Sequence, residues 1–391
     1  MVRRHRDDSD QEEWSPHDDN KKRRKHPHDD EPNVRKVIQS LQGLNAKSKQ
    51  EALSRADNEG WINNLLRIPF GKYAELPVQK NSRPHDIRKY FDHVVKTLDK
   101  AVYGMQPAKE EILNYIAQTI SCEHSRPRVL ALCGSAGVGK TALIRRGLSE
   151  ALKRPMECIN MGGIRDANYF LGHDYTYIGS RHGILVQSVM NMQVMNGILF
   201  MDEVDKVGGN RVDESQEIFS LLMHLTDPVQ NHEFHDKYFA GIDIDLSRMI
   251  FVFSFNDEKR IDPILRDRMH VVNIEDPTMK EKIVIGTKYL IPEIERNIGL
   301  AVDKDFTIGD EVVEHILKVY CEKQKGVRRL KSCLETMLLK INTARYLPIR
   351  YQKYASLKEK TPPIAITVTI ADELLKHMKP KEDKYISTMY I

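Results

Sequence analysis

The 391 residues predict an α/β fold in which a parallel sheet is sandwiched by helices and followed by a smaller, mostly helical domain. Three observations predict it. Short β-rich apolar runs alternate with helical stretches through the middle of the chain. The loop Gly134-x4-Gly139-Lys140-Thr141 joins one of those runs to a helix. Beyond about residue 276 the strand pattern largely stops and helical periodicity takes over.

Residues 1–33 mix acidic and basic clusters with His and Pro and hold almost no aliphatic side chains, so a disordered charged tail is expected there. A helical linker segment is assigned to 34–84. The α/β domain then spans 85–275, a small helical domain 276–378 and a tail 379–391. Within 85–275, Tyr90, Phe91, Val94, Val95, Leu98 and Val102 recur at spacings of three and four, the stripe of an amphipathic helix, and a second helix follows with Pro107 near its start. Strands are expected at 129–133, 156–160, 198–201 and 249–255, and later helices at 280–290, 311–321 and 327–347.

Sixty basic against fifty-six acidic residues leave a formal charge of +4, too little over this length to argue for a dedicated nucleic-acid or membrane surface. The five cysteines, at 122, 133, 158, 321 and 333, show no C-x-x-C spacing, so reduced thiols and an intracellular location, cytoplasmic or nuclear, are expected. No apolar run approaches the ~20 residues that span a bilayer, and no membrane partner is expected.

The loop at 134–141 has the full spacing of a phosphate-binding P-loop. Its glycines let the backbone N–H groups of Gly134, Ser135, Ala136, Gly137, Val138 and Gly139 close around phosphate oxygens. Lys140 would reach the β and γ phosphates and Thr141 would coordinate Mg²⁺. About sixty residues on, the buried run 197–201 ends in Asp202 and Glu203, two acids whose burial is costly unless they meet a cation. Asp202 would complete the Mg²⁺ shell, while Glu203 would deprotonate a water aimed at the γ-phosphate, so hydrolysis is implied. The next apolar run ends in Asn256, which would contact that water or the γ-phosphate if the sheet order sets the two strand ends side by side.

At this point the chain resembles a AAA+ ATPase, and within that superfamily it is similar to the ATPase module of Lon proteases. The stretches that carry the resemblance are WINNLLRIPF at 61–70, VYGM at 102–105, GHDYTYIG at 172–179, ILRDRM at 264–269 and KGVR at 325–328. It extends over about residues 58–378. The resemblance implies ATP as the nucleotide, with Tyr103 and Gly104 where the family holds adenine. It also implies that Arg268 is an arginine finger acting on a neighbouring subunit, and that Arg328 is the sensor arginine of the helical domain. A finger that acts in trans implies an assembled ring of identical subunits, in this family a hexamer. Tyr177 and Ile178 stand at the pore-loop position, where they would grip a threaded polypeptide substrate.

The chain departs from the family in Ser135-Ala136, where prolines are usual, in Phe255 before the sensor Asn and in His270 after the finger. Lon has a large substrate domain ahead of this module and a Ser-Lys protease domain behind it. Here a short charged segment precedes the module and few residues follow it, so remodelling or unfolding without intrinsic proteolysis is expected. Two other functions stay open. Met389-Tyr390-Ile391 fits the hydrophobic-Tyr-any tail with which proteasomal ATPases dock to a separate peptidase, and an adaptor is a further possible partner. Lys21 to Lys25 is the support for a nucleic-acid-associated factor.

Overall fold

Five strands form the central sheet, and all of its pairings are parallel. The structure, a computed structural model, describes residues 34–122, 129–207, 212–347, 353–357 and 361–379. The charged tail with Lys21 to Lys25 and the terminal Met389-Tyr390-Ile391 lie outside the described residues. In chain order the strands are β1 (Val129–Gly134), β2 (Met156–Asn160), β3 (Ile198–Asp202), β4 (Phe234–His235), β5 (Asp243–Ile244), β6 (Ile250–Phe255), β7 (Met269–Ile274), β8 (Phe306–Ile308) and β9 (Ile364–Ile366). The sheet order is β2-β3-β6-β1-β7, with two small two-stranded pairs, β4-β5 and β8-β9.

The strand sequences explain why both faces are covered. Along β6, Ile250 and Val252 enter one core while Phe251, Phe253 and Phe255 enter the other; along β3, Ile198 and Phe200 part in the same way from Leu199 and Met201. A period of two in an all-apolar strand requires packing on both sides, the mark of a parallel sheet between helical layers. Helices α1 (Val34–Ser40), α2 (Ala46–Ser54) and α3 (Glu59–Leu66) precede α4 (Pro84–Ala101) and α5 (Gln106–Ser121), and α4 and α5 form one layer together with the helix that begins at Lys140. In α4 the residues turned inward are Tyr90, Val94, Leu98 and Ala101, whereas Val95 is exposed. The heptad-like stripe is narrower than the sequence count of apolar residues, because 100° per residue carries Val95 off the face that Val94 occupies.

The other face receives residues from far ahead in the chain. Ile38, Leu44, Ala52, Trp61, Ile62, Leu65, Ile68 and Phe70, from the helices Val34–Ser40, Ala46–Ser54 and Glu59–Leu66 and the turns between and after them, share a core with Leu199, Met201 and Phe253. Each large side chain buried this completely contributes about 1.5–3 kcal/mol.

Strand β7 was not expected from the sequence. It is a six-residue edge strand directly behind the helix Pro263–Asp267, and the polar His270 and Asn273 break the continuous apolar run that marks β3 and β6. Pairing with β1 from Val129↔Met269 to Gly134↔Ile274 settles it. The C-terminal region is mostly helical and has its own core, in which Asp310–Tyr320, Arg328–Tyr346 and Val368–Leu375 converge around Phe306, Leu334 and Leu338. Among the described residues no helix is long and apolar enough to cross a membrane.

Candidate nucleotide site

The sheet order brings three loops together. With β6 between β1 and β3, the carboxyl ends of these strands stand side by side, the position at which open parallel sheets present ligand-binding groups. Strand β1 runs directly into the loop 134–139, where Gly137 and Gly139 adopt φ of 79° and 116°, values that a side chain would strain. Lys140 opens the following helix and is only 7% exposed. Its Nζ donates to the carbonyls of Gly134 at 2.6 Å and Ser135 at 3.3 Å and to Asn256 Oδ1 at 2.8 Å. Burial pulls the ammonium pKa down, and the carboxylates of Asp202, Asp205 and Glu203 oppose that shift.

Asp202 ends β3. Its Oδ2 accepts from Thr141 Oγ1 at 3.3 Å, and its Oδ1 accepts from the hydroxyl of Ser254 and from the Glu203 N–H at 3.0 Å. Glu203 has a left-handed backbone (φ 61°), and its Oε1 pairs with Lys206 Nζ at 2.6 Å. Such a conformation costs a non-glycine residue on the order of 1–3 kcal/mol and turns the chain sharply after the strand. The Gly162 backbone lies so near that a Cβ there would fall 2.8 Å from Glu203 Oε2.

Asp205 was missed in the sequence. It is buried, and its Oδ2 accepts the N–H groups of both Asn256 and Asp257 at 3.2 Å, so the turn after β3 holds the turn after β6. The signal was the third acid in Asp202-Glu203-x-Asp205. Its meaning depends on β3 and β6 being neighbours.

The remaining expected residues fall into two groups. Tyr103, Gly104 and Arg328 lie by the phosphate loop. Val102 and Met105 flank the Gly139 backbone, since a Cβ on Gly139 would meet Met105 Cε at 3.2 Å and Val102 Cγ1 at 3.6 Å, and the Tyr103 ring meets Tyr289 edge-on at 6.3 Å. The turn 325–328 rests on the loop backbone: Val327 N–H donates to the Gly137 carbonyl at 3.0 Å, and a Cβ on Gly137 would come within 2.8 Å of Arg328 Cβ.

Arg268, Tyr177 and Ile178 lie elsewhere. Arg268 Nη1 donates to the Met223 carbonyl at 2.7 Å and to Asp227 Oδ2 at 3.2 Å, at the end of the helix Val212–Thr226. Tyr177 and Ile178 are 71% and 106% exposed. They stand in the segment between Gly172 and Gly183, whose ends are close: His173 N–H donates to the Arg181 carbonyl at 2.9 Å, and a Cβ on Gly172 would lie 2.7 Å from Gly183 N.

Residues 130–275 match the model of the ATPase family associated with various cellular activities (AAA). A Lon protease homolog of Acanthamoeba polyphaga mimivirus is 37% identical over 309 residues, covering 77% of this chain and 29% of the relative. A mitochondrial Lon protease homolog of Caenorhabditis elegans is 34% identical over 300 residues, covering 77% of this chain and 29% of the relative. A Lon protease of Helicobacter pylori is 33% identical over 321 residues, 79% of this chain and 36% of the relative. The matched region carries a Lon-type AAA+ ATPase module. The chain spans about three tenths to just over a third of the length of these relatives. In this Lon-type module the phosphate loop, the acid pair and Asn256 come from three adjacent strands, while Arg328 comes from the helical region.

Proposed function

We propose that the module binds Mg-ATP between the phosphate loop and the turn 325–328, hydrolyses it in an assembled ring and uses the cycle to thread and remodel polypeptide. The residues present fit the nucleotide. Gly137 and Gly139 have the left-handed backbone that exposes N–H groups to phosphate, and Lys140 Nζ now holds loop carbonyls at the place where phosphate oxygens would take over. The hard oxygens of Thr141 and Asp202, 3.3 Å apart, suit Mg²⁺, which takes few protein ligands and completes its shell with water and phosphate. Bound there, the ion would neutralise charge on the triphosphate.

The roles of the protein groups follow from chemistry. Glu203 accepts the proton of the attacking water; the Lys206 contact has to yield for it to do so. Asn256 orients that water or the γ-phosphate from its place beside Lys140. Arg268 reaches a neighbouring subunit's site, its present bonds being to the Met223 carbonyl and the Asp227 carboxylate, and Arg328 responds to the nucleotide through the phosphate loop. Tyr103 and Gly104 border the adenine.

The single observation that carries the threading reading is the exposed pair Tyr177-Ile178 at the end of a segment with a tight neck. An apolar grip suits unfolded chains of varied sequence because burial does not read side-chain identity. No peptide-bond hydrolysis is assigned to the described residues. All five cysteines are free thiols, which suits an intracellular site of action. The test is ATP turnover by the purified chain with and without an unfolded protein, with degradation followed on the same samples. Stimulation without degradation is expected. Stimulation by DNA and not by unfolded protein overturns the reading.

A further inference from the structure

The substrate-facing segment is held at two levels, and only the first is local. At its neck, Asp236 Oδ2 accepts the Gly183 N–H at 2.7 Å, Lys237 N–H donates to the Leu171 carbonyl at 2.7 Å, and a Cβ on Gly183 would overlap the Phe170 carbonyl. These contacts join the ends of the segment but say nothing about the direction in which Tyr177 points.

The second level comes from the amino-terminal helices. Arg55, the C-cap of the helix Ala46–Ser54, lies with its guanidinium carbon 4.6 Å from the Tyr175 ring centre and 5.2 Å from that of Trp61. Its Nη2 donates to Glu51 at 2.5 Å, while its Nη1 is buried with no hydrogen-bond partner. A buried guanidinium nitrogen without an oxygen partner is compensated by the π faces around it, so the two rings hold this cation on one side while the Glu51 carboxylate holds it on the other. Trp61 is itself fixed, since its Nε1 donates to the Tyr238 carbonyl at 2.8 Å and its ring meets Phe239 at 5.6 Å. His182, at the far end of the segment, stacks on the same Phe239 at 5.9 Å. Tyr175 is half-buried and stands two residues before Tyr177.

We infer that Arg55 is a positioning residue for the substrate grip: clamped between Trp61 and Tyr175, it couples the amino-terminal helices to the direction in which Tyr177 and Ile178 are presented. The inference rests on the threading reading for its consequence, and on the Arg55–Tyr175 contact alone for its geometry. Arg55 touches no residue of the nucleotide site, so basal turnover is independent of it. The substrate class is an unfolded polypeptide, and the quantity that Arg55 governs is the concentration of it needed for half-maximal stimulation.

The experiment compares the full chain with Arg55→Ala, Arg55→Lys, Tyr175→Phe and Tyr175→Leu. Basal ATP turnover and turnover against rising concentrations of unfolded casein are measured, together with the rate of chymotryptic cleavage at Tyr177. Arg55→Ala and Tyr175→Leu are expected to leave basal turnover unchanged, raise the half-saturating casein concentration about 5-fold or more, and speed cleavage by a similar factor, the scale of one lost cation-over-ring contact. Tyr175→Phe keeps a ring and is expected to stay near the parent chain, whereas Arg55→Lys keeps the charge without the planar guanidinium and is expected to fall between the parent chain and Arg55→Ala. The Tyr175 pair guards against the objection that removing Arg55 simply unfolds the helices, because Tyr175 is replaced there and Arg55 is left in place. Unchanged half-saturation and unchanged cleavage in Arg55→Ala overturn the inference. If casein does not stimulate the parent chain, the threading reading fails, and the cleavage rates still decide whether Arg55 positions the segment.

Discussion

Val327 donates its backbone N–H to the carbonyl of Gly137 at 3.0 Å, so a turn of the helical region is seated on the phosphate loop itself. Gly326 makes this approach possible: a Cβ there would overlap the Ala136 carbonyl and stand 2.7 Å from the Gly137 carbonyl carbon. Any movement of the helical region is therefore felt by the backbone that would hold phosphate.

Gly326→Ala tests this seat. Forcing a methyl group into such a contact costs about 1–3 kcal/mol, which the chain relieves by lifting the turn away. ATP turnover is expected to fall about tenfold with no loss of helical content by circular dichroism, since the strain lies between two units and not within either. Full turnover in this variant would show that the contact plays no part in the cycle.

Glu203→Gln separates binding from hydrolysis. The amide keeps the shape and a hydrogen-bonding oxygen but cannot take a proton from water. Turnover is expected to drop at least about 100-fold while affinity for a fluorescent ATP analogue stays near that of the parent chain. Loss of binding in step with turnover would assign Glu203 to holding nucleotide instead.

Arg268 now bonds to Met223 and Asp227, away from the Lys140 cluster of its own chain. If it serves a neighbour, Arg268→Ala lowers turnover at least about 100-fold. Mixing it with Glu203→Gln subunits then restores activity, because a Glu203→Gln subunit still lends Arg268 to a neighbour whose Glu203 is intact. A mixture that stays as inactive as its components, after subunit exchange is verified, places Arg268 in its own subunit's site or outside catalysis.

Glu293 ties the helical region to the layer of helices behind the phosphate loop. Its carboxylate accepts from Arg146 at 2.9 Å, on the helix behind the phosphate loop, and from Lys331 at 2.8 Å, and these cations hold its pKa down at about 2. A depressed carboxylate adds stability that is complete above its unfolded pKa of about 4.5 and is lost as pH falls towards about 2. Both cations are partly exposed, so solvent screening leaves a contribution on the order of 1–2 kcal/mol. Thermal unfolding of Glu293→Gln is expected to occur several degrees lower at neutral pH, with the gap to the parent chain closing from about pH 4.5 downward. A gap independent of pH rules out the ion pairs as its source.

Much of this site was legible along the chain. The spacing Gly134-x4-Gly139-Lys140-Thr141 and the acid pair after an apolar strand are local patterns, and their chemistry depends on residues within a few positions of one another. Asn256 was legible only conditionally, because its worth required β6 to lie beside β3, a relation between residues fifty positions apart. Asp205 and β7 were not legible: one is a carboxylate whose partners are the N–H groups of another strand's turn, the other an edge strand defined by pairing with β1. Val95 in α4 shows the opposite failure, an apolar residue counted inward that the helical rotation turns to solvent.

The sequence by itself determined which groups are candidates to meet phosphate, cation and water, and that apolar strands buried on both faces would present them. Only the tertiary structure decided that β6 lies between β1 and β3, that the turn 325–328 rests on the phosphate loop and that Arg55 meets Tyr175 across 120 residues of chain. The reason is physical. Local spacing is read from covalent geometry and the period of one element, whereas strand order and the docking of distant segments depend on burial and hydrogen bonding shared among surfaces that become neighbours only when the chain folds.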